Sequence, residues 1–246
     1  MESYFLARHV YPCVTDDHVV LLDLHRDKYV GVGREQMAFL GARVKGWPLL
    51  EAAQGDALPA SRTVRSSNTG ADAVLAKMLA TGMLTTDPAL GKEARPVEMP
   101  QVDAALVADE LETQPEVTVT HVVRFFRAWA AVALEMKLRP IEAVLTRMSA
   151  RKARRQAKTF PLDLAAARSA VGAFIRLRPL VFGAQDACLF DSITLVRYLS
   201  YYGIFPACVI GVQTGPFAAH CWVQDGAVLF NDSPEWVRRY TPILVV

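Results

Sequence analysis

No run of apolar residues in this chain approaches the 18 or more that a bilayer-spanning helix needs, so nothing in it reads as a membrane span. Cysteine is scarce and scattered. Cys13, Cys188, Cys208 and Cys221 make neither a disulfide framework nor a zinc-ligand spacing, and no metal or cofactor is expected. The opening MESYFLARHVYPC has an acid at Glu2 and no uninterrupted apolar core, unlike a secretory signal. These absences predict a cytoplasmic protein of a reducing compartment, without stable membrane insertion. Histidine is also rare, five in 246 residues, so any imidazole chemistry has few candidates.

Apolar residues are plentiful at 52%, enough for one large core or two ordinary ones. The net charge of +2 conceals a split. Residues Met1–Val117 hold 11 Lys and Arg against 17 Asp and Glu, a net −6, while Thr118–Val246 hold 16 against 8, a net +8. Such asymmetry predicts two units of different role. In the first, YFLARHVYP, HVVLLDL and KYVGVG read as short strands. Helices follow near Arg34 and over ADAVLAKMLATGML, with Gly82 as a C-cap. This pattern suggests a small winged-helix-like unit over residues 1–85. Residues 86–117, rich in proline and acid, read as a linker with a possible short helix near Val102 to Glu112. In residues 118–246 helices come first: Val119 to Leu138, another after Pro140, a third from Asp163, and a fourth from Cys188 to Gly203. Val122, Val123, Phe126 and Trp129 are expected to face the core. FPACVIGV and AHCWVQDGAVLFND then read as strands, the latter a hairpin at Asp225-Gly226, so this half is α+β.

Cys188 opens a helix in QDACLFDSITLVRYLSYYG, with Asp186 as the candidate N-cap. The unpaired N–H groups and dipole of a helix N-terminus help to hold a thiolate, the form in which a thiol attacks. An imidazole must still take the proton, and a third group must fix its tautomer. His9, His18 and His25 belong to the first unit and His121 to the first helix of the second. His220 alone lies on a core-like strand after the cysteine helix, and Asp232 ends the neighbouring strand. Cysteine on a helix N-terminus, histidine on one strand and Asp or Asn on the next is the order of papain-like thiol enzymes. Cys208, Cys221 and Cys13 are read as structural.

These segments resemble the transglutaminase-like cysteine peptidase of lasso-peptide biosynthesis, the B-protein family. The likeness runs over roughly Thr118 to Val246 and is most specific from Cys188 to Asp232. Cys221 and Gln224 stand where an alanine and an acid are more usual, and neither touches the three residues. The first unit is similar to the precursor-recognition element that such enzymes carry fused or as a separate polypeptide. The resemblance implies a leader peptidase whose first unit grips the leader of a ribosomally made precursor and whose second removes it. A separate, asparagine-synthetase-like, ATP-using lasso cyclase would then act on the freed amine. In that scheme Cys188 attacks the scissile carbonyl, His220 activates the thiol and protonates the leaving amine, and Asp232 orients His220. The Cys188 N–H is an oxyanion donor, with Gln185 a second candidate.

The leader is expected to add as a strand to the KYVGV edge, with pockets near Tyr29, Val30, Leu75 and Met78 choosing side chains. The basic run Arg147 to Lys158 is read as a solvated helix face, or a dock for an acidic partner. Nucleic acid is not expected, because the run lacks interleaved aromatics. The residues do not separate hydrolysis from acyl transfer to an amine, and a non-catalytic peptide-binding scaffold is the remaining alternative. Strand parity adds a geometric expectation. A three-residue loop Gln224-Asp225-Gly226 would pair His220 with Phe230 and put Asp232 on the same face as His220. A two-residue turn at Asp225-Gly226 would put it on the opposite face, so the three-residue loop, or a bulge of equal effect, is expected. The alternative is that Asp232 only caps the strand end and Asn231 or a backbone carbonyl holds the imidazole.

Overall fold

The computed structural model describes residues 3–15, 18–48, 68–106, 116–156, 163–181 and 188–246, and divides the protein into two units, Met1–Val97 and Glu98–Val246. In the first, strands β1 (Phe5–Ala7), β2 (Val10–Val14), β3 (Val19–Asp23) and β4 (Lys28–Val32) precede helices α1 (Arg34–Gly41) and α2 (Asn68–Ala80). Two-residue strands β5 (Leu84–Thr85) and β6 (Gly91–Lys92) follow and flank β1, making a three-stranded sheet β5-β1-β6 beside a second, β2-β3-β4. Two residues are too few to leave a periodic signal, so the flanking strands are not legible in the sequence. One core gathers Leu6, Val10, Leu21, Val32, Met37, Leu40, Leu75, Met78 and Leu84. Among the described residues β4 pairs with β3 alone and forms an edge of its sheet.

Of the span expected as a linker, residues 107–115 lie outside the described residues, and the described parts are built into both units. Gly91–Lys92 pair with β1, and Ala104–Ala105 form β7, which pairs in parallel with Val228–Leu229. The helix expected from Val102 therefore does not begin there: Val102 is buried, and the next residues extend a sheet.

The second unit carries α3 (Val119–Leu138), α4 (Ile141–Gln156), α5 (Leu164–Leu177) and α6 (Cys188–Leu199). The strands β8 (Ala207–Thr214), β9 (Phe217–Asp225), β10 (Val228–Leu229) and β11 (Thr241–Val245) complete a five-stranded sheet in the order β11-β8-β9-β10-β7, with a short helix α7 (Pro234–Val237) between the last two in sequence. Thr118 starts α3 by accepting the His121 N–H, while its own N–H donates to the His121 ring. Asp163 caps α5, accepting from the Ala165 and Ala166 N–H groups. β11 lies at the sheet edge, where Pro242, next to a register shift, is tolerated.

The core face of α3 differs from expectation. His121, Phe125, Ala128 and Val132 are buried, whereas Val123 and Phe126 are exposed. Apolar residues surround the first turns, so periodicity alone does not choose the face. What chooses it is the aromatic cluster under the helix: Phe125 meets Phe174 of α5 at 5.3 Å and Tyr198 of α6 at 6.4 Å, centroid to centroid. Phe125→Ala should therefore lower stability by about 3–5 kcal/mol, and Phe126→Ala by a small fraction of that. Urea unfolding of the two variants checks the face.

Candidate active site

The site is organised by one edge of β9. On its other side, β9 pairs with β8 throughout, Gly211 opposite His220 and Cys208 opposite Val223. The approach of the two strands there requires Gly211, since a Cβ would lie 2.7 Å from the Trp222 indole. β10 matches β9 only at Gln224 and Asp225, so the edge along Cys221 to Val223 has no full strand beside it. Its backbone groups find other partners. Cys221 N–H reaches the Cys188 sulfur, and Cys221 O accepts from Ser192 Oγ at 3.0 Å. Val223 N–H donates to Asn231 Oδ1 at 2.8 Å, and Val223 O accepts from Phe230 N–H at 2.9 Å. The N-terminus of α6 and residues 230–232 are thereby brought to the same few residues.

Cys188, the first residue of α6, is half-buried. Its thiol pKa is lowered chiefly by a hydrogen bond with His220, against the effect of burial, and the N–H groups of Cys221 and Leu189 help. His220 Nε2 is hydrogen-bonded to Asp232 Oδ2, which leaves Nδ1 for the thiol. Burial opposes the imidazolium, but the hydrogen bonds with Asp232 and Cys188 outweigh it and raise His220 to about 9. A lowered thiol beside a raised imidazole is the condition for a thiolate–imidazolium pair. Tyr240 and Trp222 lie along the imidazole, at 5.2 and 6.2 Å, and Trp236 meets it edge-to-face at 6.5 Å.

The structure thus brings Cys188, His220 and Asp232 together, though by a different route from the one parity predicts. The hairpin turn is Gly226-Ala227, with Asp225 opposite Val228 and Gly226 at φ +56°. In that register a continued ladder would set Cys221, not His220, level with Asp232. The ladder instead stops. The Asn231 side chain takes the Val223 N–H that a Phe230 carbonyl would have accepted, and the backbone bends away, carrying Asp232 to the imidazole. Asn231 does not hold the imidazole itself; its amide donates to Ser192 Oγ at 3.1 Å. Sequence reasoning named Asn231 only as an alternative partner of the imidazole and missed Ser192 as part of the site. The only trace in the sequence is that Asn231 adjoins Asp232 and Ser192 lies one helical turn beyond Cys188. Asp191, on the same turn, is buried and its pKa is raised by that burial, with Arg178 Nε 3.3 Å away opposing the shift.

Asp186 and Gln185, the candidate N-cap and second oxyanion donor, lie outside the described residues. Of the leader-binding candidates, Tyr29 and Val30 lie on the edge strand β4 and Val30 is exposed, whereas Leu75 and Met78 are buried in the core of their unit. Cys13, Cys208 and Cys221 are fully buried, and burial pushes Cys13 up to about 12 and Cys221 well above an ordinary thiol. Among the described residues, no three His, Cys, Asp or Glu side chains group as metal ligands, and no helix is long and apolar enough to cross a membrane.

These assignments can be checked without a substrate. Cys188 should be thiolate above its lowered pKa and lose that charge as pH falls through it. His220 should stay protonated up to about pH 9. In the native protein, iodoacetamide should therefore label Cys188 before the other three cysteines, with a rate midpoint below that of a free thiol. Asp232→Asn should move that midpoint upward. Peptide mapping across a pH series measures both effects.

Residues 109–245, more than half of the sequence, match the family described as the transglutaminase-like superfamily. The protein is also similar to the microcin J25-processing protein McjB of Escherichia coli, 41% identical over 51 residues. That stretch is 21% of this chain and 24% of the relative, so the likeness spans about a quarter of the curated protein's length. No solved structure matches. A cysteine at a helix N-terminus, facing a histidine from the following strand pair and an aspartate from the bend after β10, lies within the matched region, and the chain belongs to the transglutaminase-like superfamily.

Proposed function

We propose that this protein is a cysteine peptidase that removes the leader of a ribosomally made lasso-type precursor. The observation that carries the reading is the hydrogen-bonded series Cys188–His220–Asp232, with its lowered thiol and raised imidazole. Cys188 attacks the scissile carbonyl, and His220 passes the thiol proton to the departing amine. Asp232 keeps Nε2 engaged so that Nδ1 faces the reacting atoms. The Cys188 N–H, at the start of α6, would donate to the developing oxyanion. Water then releases the acyl half from the sulfur. The similarity to a microcin-processing protein supports a peptide substrate of this kind.

In the same reading, Met1–Val97 is the recognition unit. Its antiparallel strands and two helices support a winged-helix-like description, and its β4 edge, which pairs with β3 alone among the described residues, suits addition of the leader as a strand. Tyr29 and Val30 are the side chains such a strand would meet. The freed amine then passes to an ATP-using lasso cyclase, and the whole sequence of steps takes place in the cytoplasm.

Mass spectrometry of a precursor incubated with the protein should show leader and core as two fragments. Cys188→Ala should lower cleavage by about 10^4-fold or more, and Asp232→Ala by about 10^2- to 10^4-fold. Both should bind a synthetic leader with wild-type affinity in calorimetry. Cleavage by Cys188→Ala near the wild-type rate would remove this cysteine from the mechanism. Joining of the acyl half to an added amine in preference to water would assign the site to acyl transfer instead.

A further inference from the structure

Most large apolar side chains around His220 are buried, but Trp236 is 42% exposed. Its indole stands edge-to-face to the imidazole, its neighbour Tyr240 packs behind it at 6.1 Å, and the Arg239 guanidinium lies 4.8 Å from the ring centroid. Covering the imidazole accounts for one side of the indole and leaves the exposed part without a structural role. The two arginines at the end of α7 also differ. Arg238 is spent on the fold, donating to Val102 O at 2.8 Å. Arg239 has no carboxylate within ion-pair distance among the described residues, although Glu235 is four positions earlier on the same turn.

Direction follows from the chemistry. The acyl carbon bonds to Cys188, and the departing nitrogen must sit at His220 Nδ1, so the substrate crosses the site from sulfur to imidazole. α7 begins two residues after Asp232, which holds the opposite ring nitrogen, and carries Trp236 edge-to-face to the imidazole. Substrate residues that follow the cut leave from Nδ1 and would pass beside these rings. An extended peptide advances about 3.3–3.6 Å per residue. The 6.5 Å between the His220 and Trp236 rings is thus the reach of about the first two residues after the cut.

We propose that Trp236 and Arg239 form the subsite for these two residues, the indole supporting the backbone and Arg239 pairing with an acidic side chain. This rests on the acyl-enzyme reading above and names the substrate class of the same site. The test separates the two. p-Nitrophenyl acetate acylates the full-length protein, and the acetyl group is mapped to Cys188 by mass spectrometry. Dipeptide amides Gly-Asp and Gly-Asn then compete with water for the thioester. The amine nitrogen bonds to the acyl carbon, the carbon–sulfur bond breaks, and the amine proton returns to sulfur through His220.

Capture by Gly-Asp amide should exceed capture by Gly-Asn amide by about two- to fivefold at low salt, the range of an exposed ion pair. Arg239→Gln should bring the ratio to one while leaving acylation by the ester unchanged. Trp236→Ala should reduce capture of both dipeptides relative to methylamine, and Trp236→Phe should restore it. A merely structural tryptophan would change all nucleophiles alike. Equal capture of the two dipeptides by the wild type, or a ratio that survives Arg239→Gln, overturns the subsite and leaves the acyl-enzyme standing. Absence of acetyl on Cys188 overturns both.

Discussion

The N–H and C=O groups of Cys221 and Val223 point to the side of β9 that has no complete strand. A buried backbone group left unpaired costs about 1–3 kcal/mol, so four of them make a demand that the fold must meet. It is met by a thiol, a hydroxyl, a side-chain amide and one backbone N–H, contributed by Cys188, Ser192, Asn231 and Phe230. The contacts that finish the sheet are the same ones that deliver Cys188 and Asp232 to His220. Architecture and site therefore share a cause, and a change to the β9 edge would be felt in both.

The electrostatics build on that placement. Asp232 occupies Nε2 of the imidazole, and the ring is set to accept the thiol proton at its other nitrogen. Three aromatic rings crowd the imidazole and limit the water that could weaken these bonds. Beneath them, Asp191 sits buried against Arg178 and hydrogen-bonded to Asn231, tying the first turn of α6 to the segment that carries Asp232.

Several features are legible in the sequence because they depend on local chemistry. The bounds of α3, the Asp163 cap of α5 and the left-handed Gly226 follow from residues that act within a turn or two. The convergence of Cys188, His220 and Asp232 is legible from their order and from the elements that bear them. The face of α3 is not, because Phe125 and Phe126 are equally apolar and only the rings of Phe174 and Tyr198 distinguish them. The hairpin misleads for a related reason. Parity arguments assume an unbroken ladder, whereas Asn231 ends this one by substituting a side-chain oxygen for a carbonyl. That exchange depends on a contact between residues eight apart, which no periodicity encodes.

The charges at the site have a consequence for the end of a reaction rather than its start. With Cys188 as thiolate, His220 protonated and Asp232 ionised, the three side groups together hold one net negative charge. A peptide cut by water leaves its acyl half with a new carboxylate at that spot. The thiolate and Asp232 repel this carboxylate and the imidazolium between them attracts it, so the three groups together disfavour it only through their one net charge. Re-forming the ion pair would thus expel a hydrolysed product and hasten the next encounter. An amide formed on an amine carries no charge there and would have to leave without that push.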